Sequence, residues 1–503
     1  MNLSKYILLF SLGAASMTFT GCSDFLDRSP LGEFTEDDAP GGSLDGQVFS
    51  IYSLMRSYNI TAGIPAFAIH NFRSEDNEKG SSAGDGADQA EMFDNFVYTN
   101  NNGTVKAYWK QCFTIIYQCN SVITTVESGN LTDNASLVNK GEAYFFRAYA
   151  YFNLVRAFGE VPLVTFKVND ASEVNLPKTT VEKIYEQIDA DLSEAEKLLP
   201  EQWESTYVGR LTWGAARSLH ARTYMMRNDW GKLLEASNEV IQSGLYNLDI
   251  PFDKVFTEEG ENCGESIFEL QCASTASLPA STSIGSQFCQ VQGVRGSGSS
   301  NLGWGWNMAT VEIGKAFEPG DPRKDATLLY FNRSKDEEPL INKPYGESFI
   351  SDGMGGYFNK KAYGNPTLRS TFTNSCFWVN IRLIRYSDVL LMFAEAANEL
   401  GRTTEALAAL EQVRARARGN DSSILPEITT TDQVALRKAI QHERRIELAL
   451  EFDRFYDLVR WGIAKEVLHA AGKTNYQDKH RYLPLPQDEI DKSNGVLVQN
   501  PNY

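Results

Sequence analysis

Histidine is scarce, five residues in 503, and the seven cysteines form no CxxC pair. A structural zinc site needs four such ligands at close spacing, so that class drops out. Basic residues are outnumbered, 47 Lys and Arg against 65 Asp and Glu, for a formal net charge of −18. Phosphate backbones are repelled by that balance, which argues against nucleic acid, an anionic membrane surface or a strongly acidic polysaccharide as the main ligand. Beyond the N-terminus no run reaches 18 apolar residues, so no transmembrane helix is expected. Catalytic motifs are missing too. Gly80-Ser81-Ser82-Ala83-Gly84 has the letters of a nucleophile elbow, but polar loop flanks it where a strand and a helix are required. Gly472-Lys473-Thr474 has Val467 where a phosphate loop needs glycine, and His442-Glu443 lacks the second histidine of a metalloprotease helix.

What is present is a large apolar inventory: 42% hydrophobic residues, with 28 Phe and eight Trp. That suffices for a sizeable core, in one large domain or two to three small ones. The N-terminus opens with Lys5 and an apolar run from Ile7 to Phe19, too short to span a bilayer as a mature helix. It ends in Phe19-Thr20-Gly21-Cys22, which resembles a lipoprotein lipobox, although Phe19 stands where Leu is usual. In that reading residues 1–21 are a signal peptide and Cys22 carries the lipid. Three acyl chains, at ~0.8 kcal/mol per buried CH₂, anchor for practical purposes permanently. Residues 22–45 read as a polar tether. Of the other cysteines, Cys112 and Cys119 lie seven apart on one predicted helix, roughly 10 Å by helical rise and too far to bridge. Most of the six read as small buried hydrophobes, with one disulfide among the rest as an alternative.

Along the chain, Gln47–Tyr58 predicts an amphipathic helix. The stretch 71–96 reads as a long acidic surface loop studded with Phe72, Phe93 and Phe96. Asp76, Glu78, Asp85 and Asp88 there could supply oxygen ligands to Ca²⁺, though not in EF-hand order, so a structural calcium is an alternative to a solvated loop. Thr104–Val126 and Gly141–Phe158 predict a first helical pair. Thr180–Leu199 follows, capped by Thr180, and Leu211–Gly244 makes a second pair. Residues 245–380 lose helical periodicity and gain Gly, Ser, Asn and Pro.

The C-terminal stretch is the most regular. Val389, Leu390, Phe393, Ala394, Ala397 and Leu400, then Ala406, Leu407, Leu410 and Val413, recur at helical spacing. Gly401 marks a stop and Thr403 or Thr404 a cap. Ala394, Gly401 and Ala406 fall on the small positions of a 34-residue helix–turn–helix repeat. A further helix carries Glu443, Glu447 and Glu451 four apart on one face. Such a row repels itself unless cations answer it. Arg444, Arg445, Arg454, Arg460, Arg382, Arg385, Arg414 and Arg416 are the expected partners, giving a structural ion-pair network and not an acid/base site. Asp321-Pro322-Arg323 reads as a structural turn.

RYSDVLLMFAEAANELG (385–401) followed by AIQHERRIELALEFDRFYDLVRWG (439–462) resembles the C-terminal signature of the SusD/RagB family of Bacteroidetes outer-membrane nutrient-binding lipoproteins. FFRAYAYFNLVRAFGEVPLV (145–164), YLPLPQDEI (482–490) and QNPNY (499–503) extend the resemblance. It implies a mostly α fold. TPR-like pairs stack as a scaffold over about 104–244 and 381–462, within a single domain 46–503. A loop-rich part, about 60–100 and 245–380, carries the ligand surface. It also implies a surface-exposed protein that captures oligosaccharide and delivers it to a SusC-like TonB-dependent transporter, with no cofactor and no catalysis. A peptide-binding role, as in the RagB branch, is the alternative, and a glycoside hydrolase a remote one.

The ligand site itself falls on GVRGSGSSNLGWGWN (293–307). Glycine around Trp304 and Trp306 leaves indole faces open, and alternation along an extended segment points one ring in and the other out. Sugar C–H faces stack on such rings. Covering ~100 Å² at ~25 cal/mol/Å² is worth about 2.5 kcal/mol. Arg295, Asn301, Asp85 and Asp88 are candidates to bond sugar hydroxyls, and Phe93 to add a further ring.

Overall fold

The computed structural model describes residues 43–296, 301–330 and 357–503. The leader, Cys22 and nearly all of the tether lie outside these residues. The first helix, α1 (Leu44–Met55), is capped by the Ser43 hydroxyl, which accepts from the Gly46 N–H at 3.2 Å. A π-turn over Tyr58–Ala62 leads into α2 (Ile64–His70), with Pro65 in its first turn where no N–H is needed.

The helical scaffold follows. Helix α3 (Gly103–Ser128) starts where the Asn102 side chain accepts from Thr104 and Val105, and α4 (Asn134–Phe158) starts on Asp133. The run from Phe145 to Phe158 in α4 is buried on every side, because α3 packs on one face and α5 (Val181–Leu198) on the other. Thr180 caps α5 as its sequence position predicts. Helices α6 (Trp213–Met226) and α7 (Trp230–Gln242) form the next pair. Then come α8 (Tyr386–Glu399), α9 (Thr403–Arg418), α10 (Gln433–Glu447) and α11 (Arg454–Arg460). Helix α8 packs on α6 and α7 as well as on α9 and α10, so a stack interrupted in sequence is continuous in space. Ala394, Ala397 and Ala406 are fully buried, and Gly401 takes φ +73° to end α8. The fold is thus mostly α with TPR-like pairs.

Three local expectations change. Ile381–Arg385 is a strand and not helix, pairing antiparallel with Ser266–Leu270 through an irregular register, and all five of its residues are buried. No side chain caps α9, whose N-cap is Arg402. The 71–96 stretch is strapped into the core at both ends, and only its middle, 81–89, is surface loop. Phe72, Phe93 and Phe96 are buried, and so are Glu75 and Asp76. Lys473, from the dismissed Gly-Lys-Thr, donates to the carbonyls of Phe72 and Asn77 and to Asp94.

Strands β1 (Asn77–Gly80), β2 (Ser266–Leu270), β3 (Trp306–Ala309), β4 (Leu328–Tyr330), β5 (Tyr357–Asn359) and β6 (Ile381–Arg385) form two antiparallel sheets. The four-stranded one has the order β1-β3-β5-β4, with Gly80 opposite Trp306. It stitches the acidic stretch to the insert. The six cysteines in the described residues are free; Cys112, Cys119, Cys289 and Cys376 are buried, and no disulfide forms among them.

Candidate functional site

Backbone hydrogen bonds hold the described part of the glycine-rich insert at its tryptophans. Leu302 and Gly303 both donate to the Val294 carbonyl at 2.9 Å, Trp304 to Gln290 at 2.8 Å and Gly305 to Gly293 at 2.9 Å. A Cβ on Gly303 would sit 2.3 Å from the Gln290 carbonyl oxygen, so two chain segments approach here as only glycine allows. Gly305 turns at φ +73°, and its carbonyl accepts from the Ser81 N–H at 2.6 Å. The turn sends the neighbouring indoles to different environments. Trp304 is 38% exposed, whereas Trp306 is 7% exposed and its ring lies where a Cβ on Gly86 would meet it at 2.9 Å.

A cleft of about 590 Å³ opens here. Trp304 and Trp306 line it, with Arg295, Asn301, Asp85, Ser81, Gly86 and Ile64 among the remaining residues. Five of the seven residues named from sequence therefore meet in one place. Arg295 donates to the Asp85 carboxylate and to Ser81 Oγ, and Ser81 Oγ in turn donates to Asp85 at 2.7 Å. Hydrogen bonds from Ser81 and Ser82, together with Arg295, hold the Asp85 carboxyl well below the usual carboxylate range. The pair is more than a third exposed, so its charges cancel while its outer lone pairs and N–H groups face water.

The other two lie elsewhere. Phe93 is fully buried, stacked 4.9 Å from Tyr98, and does not contact the cleft. Its aromatic ring made it look like a platform, but the core took it. Asp88 is exposed and outside the lining residues. The calcium candidates separate as well. Asp76 is 1% exposed and spent on Arg445, whereas Glu78 lies exposed on β1. Among the described residues no group of three His, Cys, Asp or Glu converges as a metal would require.

Sequence reasoning missed Tyr58. Its ring centre is 6.5 Å from that of Trp304, tilted by 57°, so it supports the exposed indole from behind without being a lining residue itself. Burial pushes its hydroxyl pKa up. The π-turn that positions it has no sequence signature, although such turns gather at functional sites.

The acidic row on α10 is structural. Glu443 and Glu447 are fully buried. Arg385 and Arg416 bond Glu447 at 3.0 and 2.6 Å, and Arg414 bonds Glu443 at 2.8 Å. Arg323, from the Asp-Pro-Arg turn, bonds both. Of the eight arginines expected, Arg444 goes instead to Asp388 and Asp457, Arg445 to Asp76, Arg454 to Glu75, Arg460 to Glu395 and Arg382 towards Glu269. Helix direction explains this: those arginines project from other faces of α10 and its neighbours.

Fold and cleft together define a class of protein, a rigid stack of helical pairs that presents an aromatic-sided surface cleft. Comparison with known proteins places it more closely. A family profile described as "SusD family" matches residues 265–503, and one described as "Starch-binding associating with outer membrane" matches residues 24–225. The chain belongs to the SusD/RagB family. SusD-like protein P2 of Formosa agariphila is 28% identical over 536 aligned positions, covering 100% of both chains. A solved laminarin-binding SusD-like protein is 27% identical with TM-score 0.73, over 92% of this chain and 99% of its own. Surface glycan-binding protein A from Bacteroides fluxus is 26% identical with TM-score 0.72, again over 92% and 99%.

Proposed function

We propose that the chain is a surface glycan-binding lipoprotein, anchored to the outer membrane through Cys22, which captures neutral oligosaccharide and delivers it unaltered to a SusC-like TonB-dependent transporter. The observation that carries this reading is Trp304. An indole fixed by three glycines and backbone hydrogen bonds stays 38% exposed at the edge of a 590 Å³ cleft. Rigid exposed apolar surface is what a sugar C–H face stacks on, at about 2.5 kcal/mol per face. Hydroxyls then find Asp85, Arg295, Asn301 and Ser81. Because Asp85 and Arg295 neutralise each other, the lining favours an uncharged ligand. A few hydrogen bonds at ~1 kcal/mol each complete a weak, reversible site, which suits capture and release. The laminarin-binding relative and the starch-binding family description support a glucan. No described helix is long and apolar enough to cross a membrane, which is consistent with attachment by lipid.

Calorimetry with laminarihexaose and maltohexaose tests the reading. Wild type should bind at least one, and Trp304→Ala should weaken it severalfold to about tenfold with an unchanged melting temperature. Wild-type protein that binds neither, or a Trp304→Ala variant with full affinity, overturns it.

A further inference from the structure

A second cleft, of about 250 Å³, opens where the 201–212 segment faces β2. Trp203 and Tyr246 form its aromatic wall, Val208 its exposed apolar lip, and Thr212 and Asn262 bring polar groups to it. The Trp203 indole N–H donates to the Leu211 carbonyl at 2.8 Å, and the Arg210 guanidinium lies 4.5 Å from its ring. The ring is therefore fixed yet partly exposed. Asn262 and Gln271 exchange paired amide hydrogen bonds, both 2.9 Å, which leaves Asn262 with a further N–H and lone pair. Arg210, the cation in the lining, is consumed by Glu142 at 2.6 and 3.1 Å. Glu201, exposed at the rim, adds negative charge, so an anionic ligand is disfavoured.

The two clefts sit on either side of the end of α1. Tyr58 stands beside Trp304, and Arg56, two residues earlier, lines a small 30 Å³ pocket with Val208 and Gln271. Arg56 is pinned there, donating to the carbonyls of Gln271 at 2.8 Å and Ser283 at 2.9 Å. Chain reach puts the clefts within about 30 Å of each other.

We propose that the Trp203–Tyr246 cleft is a second glycan subsite, occupied by a further stretch of the polysaccharide held at Trp304. It rests on the reading that the Trp304 cleft takes neutral glycan. At 250 Å³ it is smaller than the roughly 300 Å³ at which independent ligand pockets begin. A free sugar dwells there briefly. A chain already held next door is presented at millimolar effective concentration, so the second contact raises affinity for polymer and not for short fragments.

The test compares short and long ligands on the full chain: laminaritetraose against laminarin, and maltotetraose against soluble starch. Val208→Glu places a charge on the exposed lip. Asn262→Gly removes the amide while keeping the backbone at φ +53°. The double variant should lose about tenfold in affinity for the polymer that wild type binds, with tetrasaccharide affinity unchanged. Unchanged polymer affinity with tetrasaccharide binding intact overturns the second subsite alone. Wild type that binds neither ligand pair overturns both readings. An unaltered glycan profile with weakened association to a TonB-dependent transporter reassigns the cleft to a protein partner and overturns the inference.

Discussion

Two tryptophans separated by one glycine do different jobs. Trp304 offers a face to water, so its loss should weaken binding and leave folding untouched. Trp306 opens β3 and packs on Gly86, so Trp306→Ala should instead cost about 3–5 kcal/mol of stability. Urea titration of both variants separates the roles: equal midpoints would contradict the assignment. Glu261 offers a second test. Burial, with Glu269 and Glu258 nearby, raises its carboxyl to about 7 from an ordinary 4.5 despite the pull of Arg382. Between those values the folded chain keeps a proton that the unfolded chain releases. Stability is therefore lost as pH rises through that window. Glu261→Gln keeps an acceptor for the Asn380 N–H, which the native carboxylate meets at 2.9 Å. Its melting temperature should exceed that of wild type at pH 8 and match it near pH 4. A difference independent of pH would place the effect elsewhere.

Helix α10 carries Glu443 and Glu447 on one face, with Glu451 falling just beyond its end, and the buried pair survives because arginines arrive from three other segments. Burial alone would raise the Glu447 carboxyl, but Arg416, Arg385 and Arg323 outweigh it and leave the group well below its usual range. Its stabilisation is present above about pH 4.5 and drains away as acid approaches the folded value. Glu447→Ala strands buried arginines and should lower stability by about 3–5 kcal/mol, read by calorimetric melting at pH 7. An unchanged melting point together with abolished glycan binding would make this helix part of the site. The acidic row and three of its partners, Arg385, Arg414 and Arg416, were legible in sequence; Arg323 was not. Arg323 lies 120 residues from Glu443 in the chain, and no spacing rule connects them.

For the molecule as a whole, helices α3 to α10 make one stack, and the cleft is lined from outside it, by segments before α3 and by the interruption between α7 and α8. Residues 81–86 meet the described insert residues 295, 296 and 301–306 because β1 pairs with β3, and Ile64 lines the cleft beside them. Replacing Cys22 with Ala should abolish incorporation of labelled palmitate and release the protein from the outer-membrane fraction. Retention of label at another residue would refute the anchor.

By itself the sequence determined the periodic part of this protein. Helical spacing, caps at Thr180 and Gly401, the buried small residues of α8 and α9, and the Trp304–Trp306 segment were all readable, because each depends on neighbours within a few turns of chain. The fate of Phe93 and Asp76, the aromatic neighbour Tyr58, the strand at 381–385 and the pairing of Arg323 with Glu443 and Glu447 were decided only by tertiary structure. Each is set by what lies against it in space, and burial, ion pairing and sheet register have no local signature in the residues that undergo them.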